Sequence, residues 1–115
     1  AISLNRQSKM LGKVQTSGRY AVNVLSQDMH LHALHFAGRP NDALADLFLD
    51  RHGLPILRNA AAVMLADVVQ QVETGDHVMF LGHVRHLDQD PDAALLLFHA
   101  GQFGSLAAHR ADHAV

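Results

Sequence analysis

The chain has 115 residues, 49% of them apolar, with nine Lys and Arg against eleven Asp and Glu and no cysteine. That length suits one domain with a modest core, and the lack of cysteine excludes a disulfide framework, a thiolate metal site and a Cys nucleophile. The near-balanced charge gives no basic field for nucleic acid, no apolar run is long enough to cross a bilayer and no signal peptide is visible, a profile compatible with a cytoplasmic protein.

In chain order, Ala1 to Leu4 reads as a strand that begins abruptly, as though N-terminal residues of the natural domain precede it. Ser8 to Ser17 is predicted to be a short helix with Leu11 and Val14 on its apolar side and Gly18 ending it. "RYAVNVLS" alternates like a strand. "QDMHLHALHFAG" predicts a helix with Met29, Ala33 and Phe36 on one face and Gly38 at its end. "DALADLFLDRHG" reads as another short helix, with Asp42 as N-cap and Leu44, Leu47 and Phe48 inward. Two long β-type runs, "AAAVMLADVVQQVE" and "HVMFLGHVRHLD", flank "TGD" and predict a hairpin. "QDPD" marks a turn, and "ALLLFHAGQFGSL" one or two strands bent at Gly101 and Gly104. Residues 1–106 read as one domain, and residues 107–115 as a polar tail, loose or lightly helical. One-sided hairpins favour an antiparallel barrel over a doubly wound sheet, and no G-x-G-x-x-G follows a strand.

Four stretches have residues suited to chemistry. In "SLNRQSK", Ser8 is placed to cap the following helix, whose first amides carry partial positive charge. A phosphate there would meet backbone donors, the Ser8 hydroxyl and Asn5, with Arg6 or Lys9 adding charge; an ordinary capped helix with solvated cations explains the same residues. In "ETGDHVMF", His77 follows a turn, where an imidazole can contact a ligand or simply face water. Asp76 and His77 are neighbours, so on a strand they would point apart. In "MHLHALHFAG", His32 and His35 share a helical side and His30 does not, and His83 and His86 have odd spacing that would face them oppositely. Neither set matches a metal-ligand spacing. In "HAGQFGSL", Phe103 is suited either to covering a planar ligand or to packing in the core.

Taken together, "AISLNRQSK", "SGRYAVNVLSQD", "FAG", "GLPIL", "VETGDHVMFLGHV" and "LLLFHAGQF" occur in the order seen in the flavin reductase-like family. The chain resembles that family from Ala1 to about Leu106. The resemblance implies a mainly β fold, an FMN-binding split barrel that is antiparallel, Greek-key-like and interrupted by short helices. It implies an NAD(P)H-dependent flavin reductase using FMN or FAD with NADH or NADPH, a homodimer with flavin near the interface, and a monooxygenase partner that receives reduced flavin. Neither nucleic acid nor membrane is implied. The junction Ser3, Asn5, Arg6, Ser8 and Lys9 would approach the flavin phosphate and ribityl chain, and Ser8 is the first expectation. His77 would lie near flavin or nicotinamide as the catalytic candidate. Phe36, Ala37 and Gly38, with Arg39, would border the pocket. Phe98 and Phe103 stand where tyrosine is common in the family. A Thr-, Ser- and Ala-rich segment that lies along the flavin ring in the family is outside these residues, and we expect it, with its strands, in the natural protein. Two other readings compete: a non-enzymatic flavin or electron carrier on the same barrel, and a histidine-rich metal-binding module.

Overall fold

A computed structural model describes residues 1–106; the expectation for the 107–115 tail lies outside them. The elements are β1 (Ile2–Asn5), α1 (Lys9–Ser17), β2 (Arg19–Val24), α2 (His30–Phe36), β3 (Phe48–Arg51), β4 (Leu54–Leu57), β5 (Ala62–Thr74), β6 (His77–Gln89), β7 (Leu97–His99) and β8 (Gln102–Gly104). The main sheet has the order β1-β6-β5-β2, all antiparallel. The β5–β6 hairpin therefore sits between the two strands that flank α1 in sequence. Two further hairpins, β3–β4 and β7–β8, form separate two-stranded sheets.

The long hairpin forms where it was expected. Thr74 faces His77 across a two-residue loop, and Gly75 takes a φ of +62° that a residue with a Cβ resists. Two register steps break its ladder: Val69 is skipped on β5 and Arg85 on β6. An unpaired residue bends its strand and increases the local twist, which curls the sheet toward a barrel.

α1 starts one residue later than predicted, at Lys9 with Ser8 as its N-cap, and ends at the predicted Ser17. The Ser8 Oγ accepts the Met10 amide hydrogen at 3.2 Å, and Gly18, at φ +68°, donates its N–H to the Val14 carbonyl at 2.8 Å. The inner side of α1 covers the sheet: Val14 joins Tyr20, Ala66, Val78 and Phe80 in one buried cluster, with Ile2, Leu4, Leu11, Val22 and Val68 around it. Phe80 has no exposed surface and Val78 only 1%. Gly82 provides room for Tyr20, because a Cβ there would overlap the Tyr20 hydroxyl and stand 2.9 Å from the Ala66 Cβ. A second buried set, Met29, Ile56, Leu57, Ala61 and Leu65, lies outside that cluster. Here β4 runs beside β2, and the Leu57 amide donates to Asn23 Oδ1 at 2.9 Å.

Two expectations are corrected. The stretch around 42–53 is not a helix. Asn41, rather than Asp42, organises its start, accepting the Ala43 amide hydrogen on Oδ1 at 2.9 Å in an Asx turn. Phe48–Arg51 is then a strand, hairpinned to β4 through His52 and Gly53, both with positive φ (53° and 82°) as a type I′ loop requires. His83 and His86 share a face of the sheet. The step at Arg85 sets them opposite Asp67 and Leu65, two residues apart on β5. Of the residues expected on one face of α2, Met29 is buried and Phe36 is 52% exposed. Gly38 does end α2, with a φ of +99° and the Arg39 amide reaching back to the Leu34 carbonyl at 3.0 Å, the six-to-one bond of a Schellman motif. The expected bend at 97–104 is the β7–β8 hairpin, turned at Ala100 and Gly101 (φ 51° and 79°).

Candidate functional site

β1 ends where β6 begins. Asn5 pairs directly with His77, and Ser3 with Met79, so this row of side chains shares one sheet face while Ile2 and Leu4 turn toward the core. The chain then makes a tight corner: Asn5 Oδ1 accepts the Gln7 amide hydrogen at 2.9 Å and the Asn5 carbonyl accepts that of Ser8 at 2.9 Å. The corner delivers Ser8 to the head of α1 and leaves Lys9 exposed on its first turn. Lys9 forms no ion pair among the described residues. The positive end of α1, the Ser8 hydroxyl and the Lys9 ammonium are a donor set suited to a phosphate.

Arg6 is occupied differently. Its backbone N–H donates to the Asp76 carbonyl at 2.9 Å, its Nε to the Gly75 carbonyl at 3.0 Å, and its Nη1 lies 3.5 Å from Glu73 Oε1. It binds the β5–β6 loop.

Asp76 and His77 do not point apart. Asp76 occupies the turn rather than the strand, which lets its Oδ1 lie 2.8 Å from His77 Nδ1. The hydrogen bond from His77, reinforced by its charge, holds the Asp76 carboxyl below the ordinary carboxylate range. With Nδ1 engaged by a carboxylate, Nε2 is the ring atom left to meet a ligand. This carboxylate–imidazole pair escaped the sequence reading; the adjacency of Asp and His straight after a "TG" corner was its available signal.

The remaining candidates lie elsewhere. Phe36 meets the His35 ring edge-on at 5.0 Å and the Phe48 ring at 5.9 Å. Ala37, Gly38 and Arg39 follow it, exposed, in the Schellman turn. Phe103 is half-buried between His30 (6.2 Å) and Phe98 (5.0 Å). Phe48 pairs with Leu57, Leu57 bonds Asn23, and Asn23 pairs with Val63. That chain of contacts sets the aromatic group at the start of β5, while His77 faces the end of it. About 35 Å of strand contour separates the two levels. Of the histidines, His35 accepts the Asn41 amide hydrogen on Nδ1 at 2.9 Å and so anchors the loop after α2. His52 and His86 stack at 3.9 Å, 5° from parallel, so their in-plane lone pairs run side by side rather than converging on one ion.

The sheet, the capped junction and the Asp76–His77 turn define a mainly β protein of the split-barrel class. Residues 1–107 match the model of the flavin reductase like domain, and the chain belongs to that family. It is 33% identical over 105 residues to an NADH-dependent flavin reductase of Rhodococcus sp, covering 91% of this chain and 59% of that protein. It is 26% identical over 108 residues to the 4-hydroxyphenylacetate 3-monooxygenase reductase component of Salmonella typhimurium, covering 89% of this chain and 64% of that protein. The solved structure of flavin reductase PheA2 superposes with a TM-score of 0.83 at 37% identity, covering 93% of this chain and 69% of that one. The chain thus spans roughly six-tenths of the length of the curated relatives it matches.

Proposed function

We propose that the protein is a flavin reductase that transfers hydride from NADH or NADPH to FMN or FAD and passes reduced flavin to a monooxygenase in the cytoplasm. The observation that carries this reading is the junction of β1, α1 and β6, where a phosphate-type donor set and a carboxylate-oriented imidazole occupy one end of one sheet. Family membership and the names of the relatives support it. Flavin supplies the redox chemistry by accepting hydride from a reduced nicotinamide. Ser8, the first amides of α1 and Lys9 would hold a flavin phosphate. Asn5 and Ser3 line the adjoining sheet face, and His77 would orient the reactants through Nε2. No residue of the chain need become covalently attached.

The reading includes a homodimer. The second candidate segment, Phe36 to Arg39, connects through Phe48 and Leu57 to the start of β5, while His77 pairs with its end. A partner related by a twofold axis brings the aromatic end of one protomer to the polar end of the other. Phe98, 65% exposed, and Phe36 give that end the apolar surface an interface requires.

Anaerobic mixing of the protein with flavin and each nicotinamide tests the activity. Bleaching of oxidised flavin is expected, faster with one nicotinamide than the other. Tight flavin retention without bleaching would instead identify a flavin carrier.

A further inference from the structure

The geometry points to Arg6 as a positioning residue that clamps the Gly75–Asp76 loop to the end of β1 and thereby presents His77, an inference resting on the reading of His77 as the reactant-orienting imidazole. Arg6 is the one cation of the junction whose hydrogen-bonding edge is already committed within the described residues. Its amide reaches the Asp76 carbonyl, its Nε the Gly75 carbonyl, and its Nη1 the Glu73 carboxylate. These partners are 67 to 70 residues away in sequence, and they are the two loop residues and the strand end that precedes them. Lys9, three residues on, makes no ion pair among the described residues.

The clamp matters because of what the loop lacks by itself. Gly75 adopts φ +62° with nothing within reach of a Cβ, so no packing pins the corner from that side. Beyond the Asn5–His77 pair the backbone adds one more bond, from the Arg6 amide to the Asp76 carbonyl. Beside that backbone bond, which any residue at this position would make, two side-chain contacts from Arg6 hold the loop, and the Asp76–His77 bond transmits the fixed loop to the ring. The planar guanidinium suits this role, because one rigid group sends Nε to the Gly75 carbonyl and Nη1 to the Glu73 carboxylate in fixed, divergent directions. A lysine keeps the charge but not the fork.

A double-mutant cycle tests the assignment. Arg6→Ala is expected to lower the rate of flavin reduction about tenfold, to leave the ratio of FMN to riboflavin affinity as in the wild type, and to add nothing when combined with His77→Ala. Arg6→Lys should behave like Arg6→Ala in rate, again with the affinity ratio unchanged. Independently of activity, amide hydrogen exchange at His77, which closes the loop, should rise in both variants while Val78 and Phe80 stay protected, which also verifies folding. Selective loss of FMN affinity in Arg6→Ala, restored by Arg6→Lys, would make Arg6 a phosphate ligand and overturn the clamp. So would additivity with His77→Ala, or unchanged exchange at the loop. A His77→Ala variant that reduces flavin at the wild-type rate would overturn the functional reading of His77 instead, a result the exchange measurement separates from failure of the clamp.

Discussion

The two ends of the β5–β6 hairpin are built in opposite ways. Where Thr74 meets His77, polar groups are spent on one another: Asn5 caps Gln7, Ser8 caps Met10, Arg6 grips the loop and Asp76 engages His77. Where Ala62 meets Gln89, the neighbouring elements α2, β3 and β7–β8 present rings. Phe36 and Phe48 pack together tilted, Phe98 packs tilted against Phe103, and all three of Phe36, Phe48 and Phe98 remain largely uncovered. Hydrogen bonds fix direction and distance, whereas aromatic contacts tolerate a range of offsets and gain mainly by excluding water. The polar end is therefore held in a fixed geometry by its own hydrogen bonds, whereas the aromatic end keeps apolar surface uncovered.

The largest difference between the regions should appear in stability. Phe80 sits fully buried under α1 at the polar end, and Phe80→Ala removes a ring from a closed cluster, at a cost of about 3–5 kcal/mol. Phe98→Ala at the aromatic end removes a ring that is mostly solvated and should cost about 0.5 kcal/mol or less in the monomer. Urea titration of both variants at a concentration that keeps the protein monomeric checks the contrast. Comparable losses would mean that the aromatic end is a core in its own right.

The next effect is kinetic. His77→Ala should slow flavin reduction, or raise the nicotinamide Michaelis constant, by ten- to a hundredfold, roughly 1.4–2.8 kcal/mol. Affinity for FMN should change less, because the donors proposed for its phosphate are on α1 and not on β6. Stopped-flow reduction at saturating flavin, with FMN binding measured separately, sharpens the division of labour within the polar end. Smaller still is the effect at the helix head. Ser8→Ala removes the cap hydroxyl at about 1 kcal/mol and should weaken FMN about fivefold while leaving riboflavin almost unchanged. Equal weakening of both flavins by calorimetry would place the phosphate elsewhere.

How much of this was legible in the sequence follows from which features carry a local signature. The long hairpin announces itself through "TGD" between two β-type runs, and α1 through Ser8, Leu11, Val14 and Gly18 at helical spacing. The errors all sit where one residue changes the parity of the chain. Leu44, Leu47 and Phe48 mimic a helical face, yet His52 and Gly53 turn left-handed and make Phe48–Arg51 a strand too exposed to show alternation. Skipping Arg85 puts His83 and His86 on one face. Putting Asp76 in the turn brings it to His77. The partners of Arg6 carry no local signal, since the contact spans more than half the chain. The site residues at the junction were legible as types, but their division into helix-end donors and a loop clamp was not.

The smallest effect contrasts two carboxylates, one at each end. Asp76 is held below the ordinary carboxylate range chiefly by the hydrogen bond from His77, and Asp28, just before α2, chiefly by the Ser26 hydroxyl, which donates at 2.7 Å. Both groups are exposed, so each contact is worth little to stability. The sign is nevertheless defined. A carboxyl whose folded value is depressed stabilises the fold fully above its unfolded value, about 3.9, and loses that contribution as pH falls through the lowered value. Carboxyl-carbon NMR titration should therefore find both midpoints below the ordinary range in the wild type. In His77→Ala, Asp76 should return toward the ordinary value while Asp28 stays where it was, because its partner lies at the other end of the hairpin. Ser26→Ala should do the reverse. A wild-type Asp76 that titrates at the ordinary value would mean that the carboxylate does not hold the ring in solution, and the orientation of Nε2 would then lose its anchor.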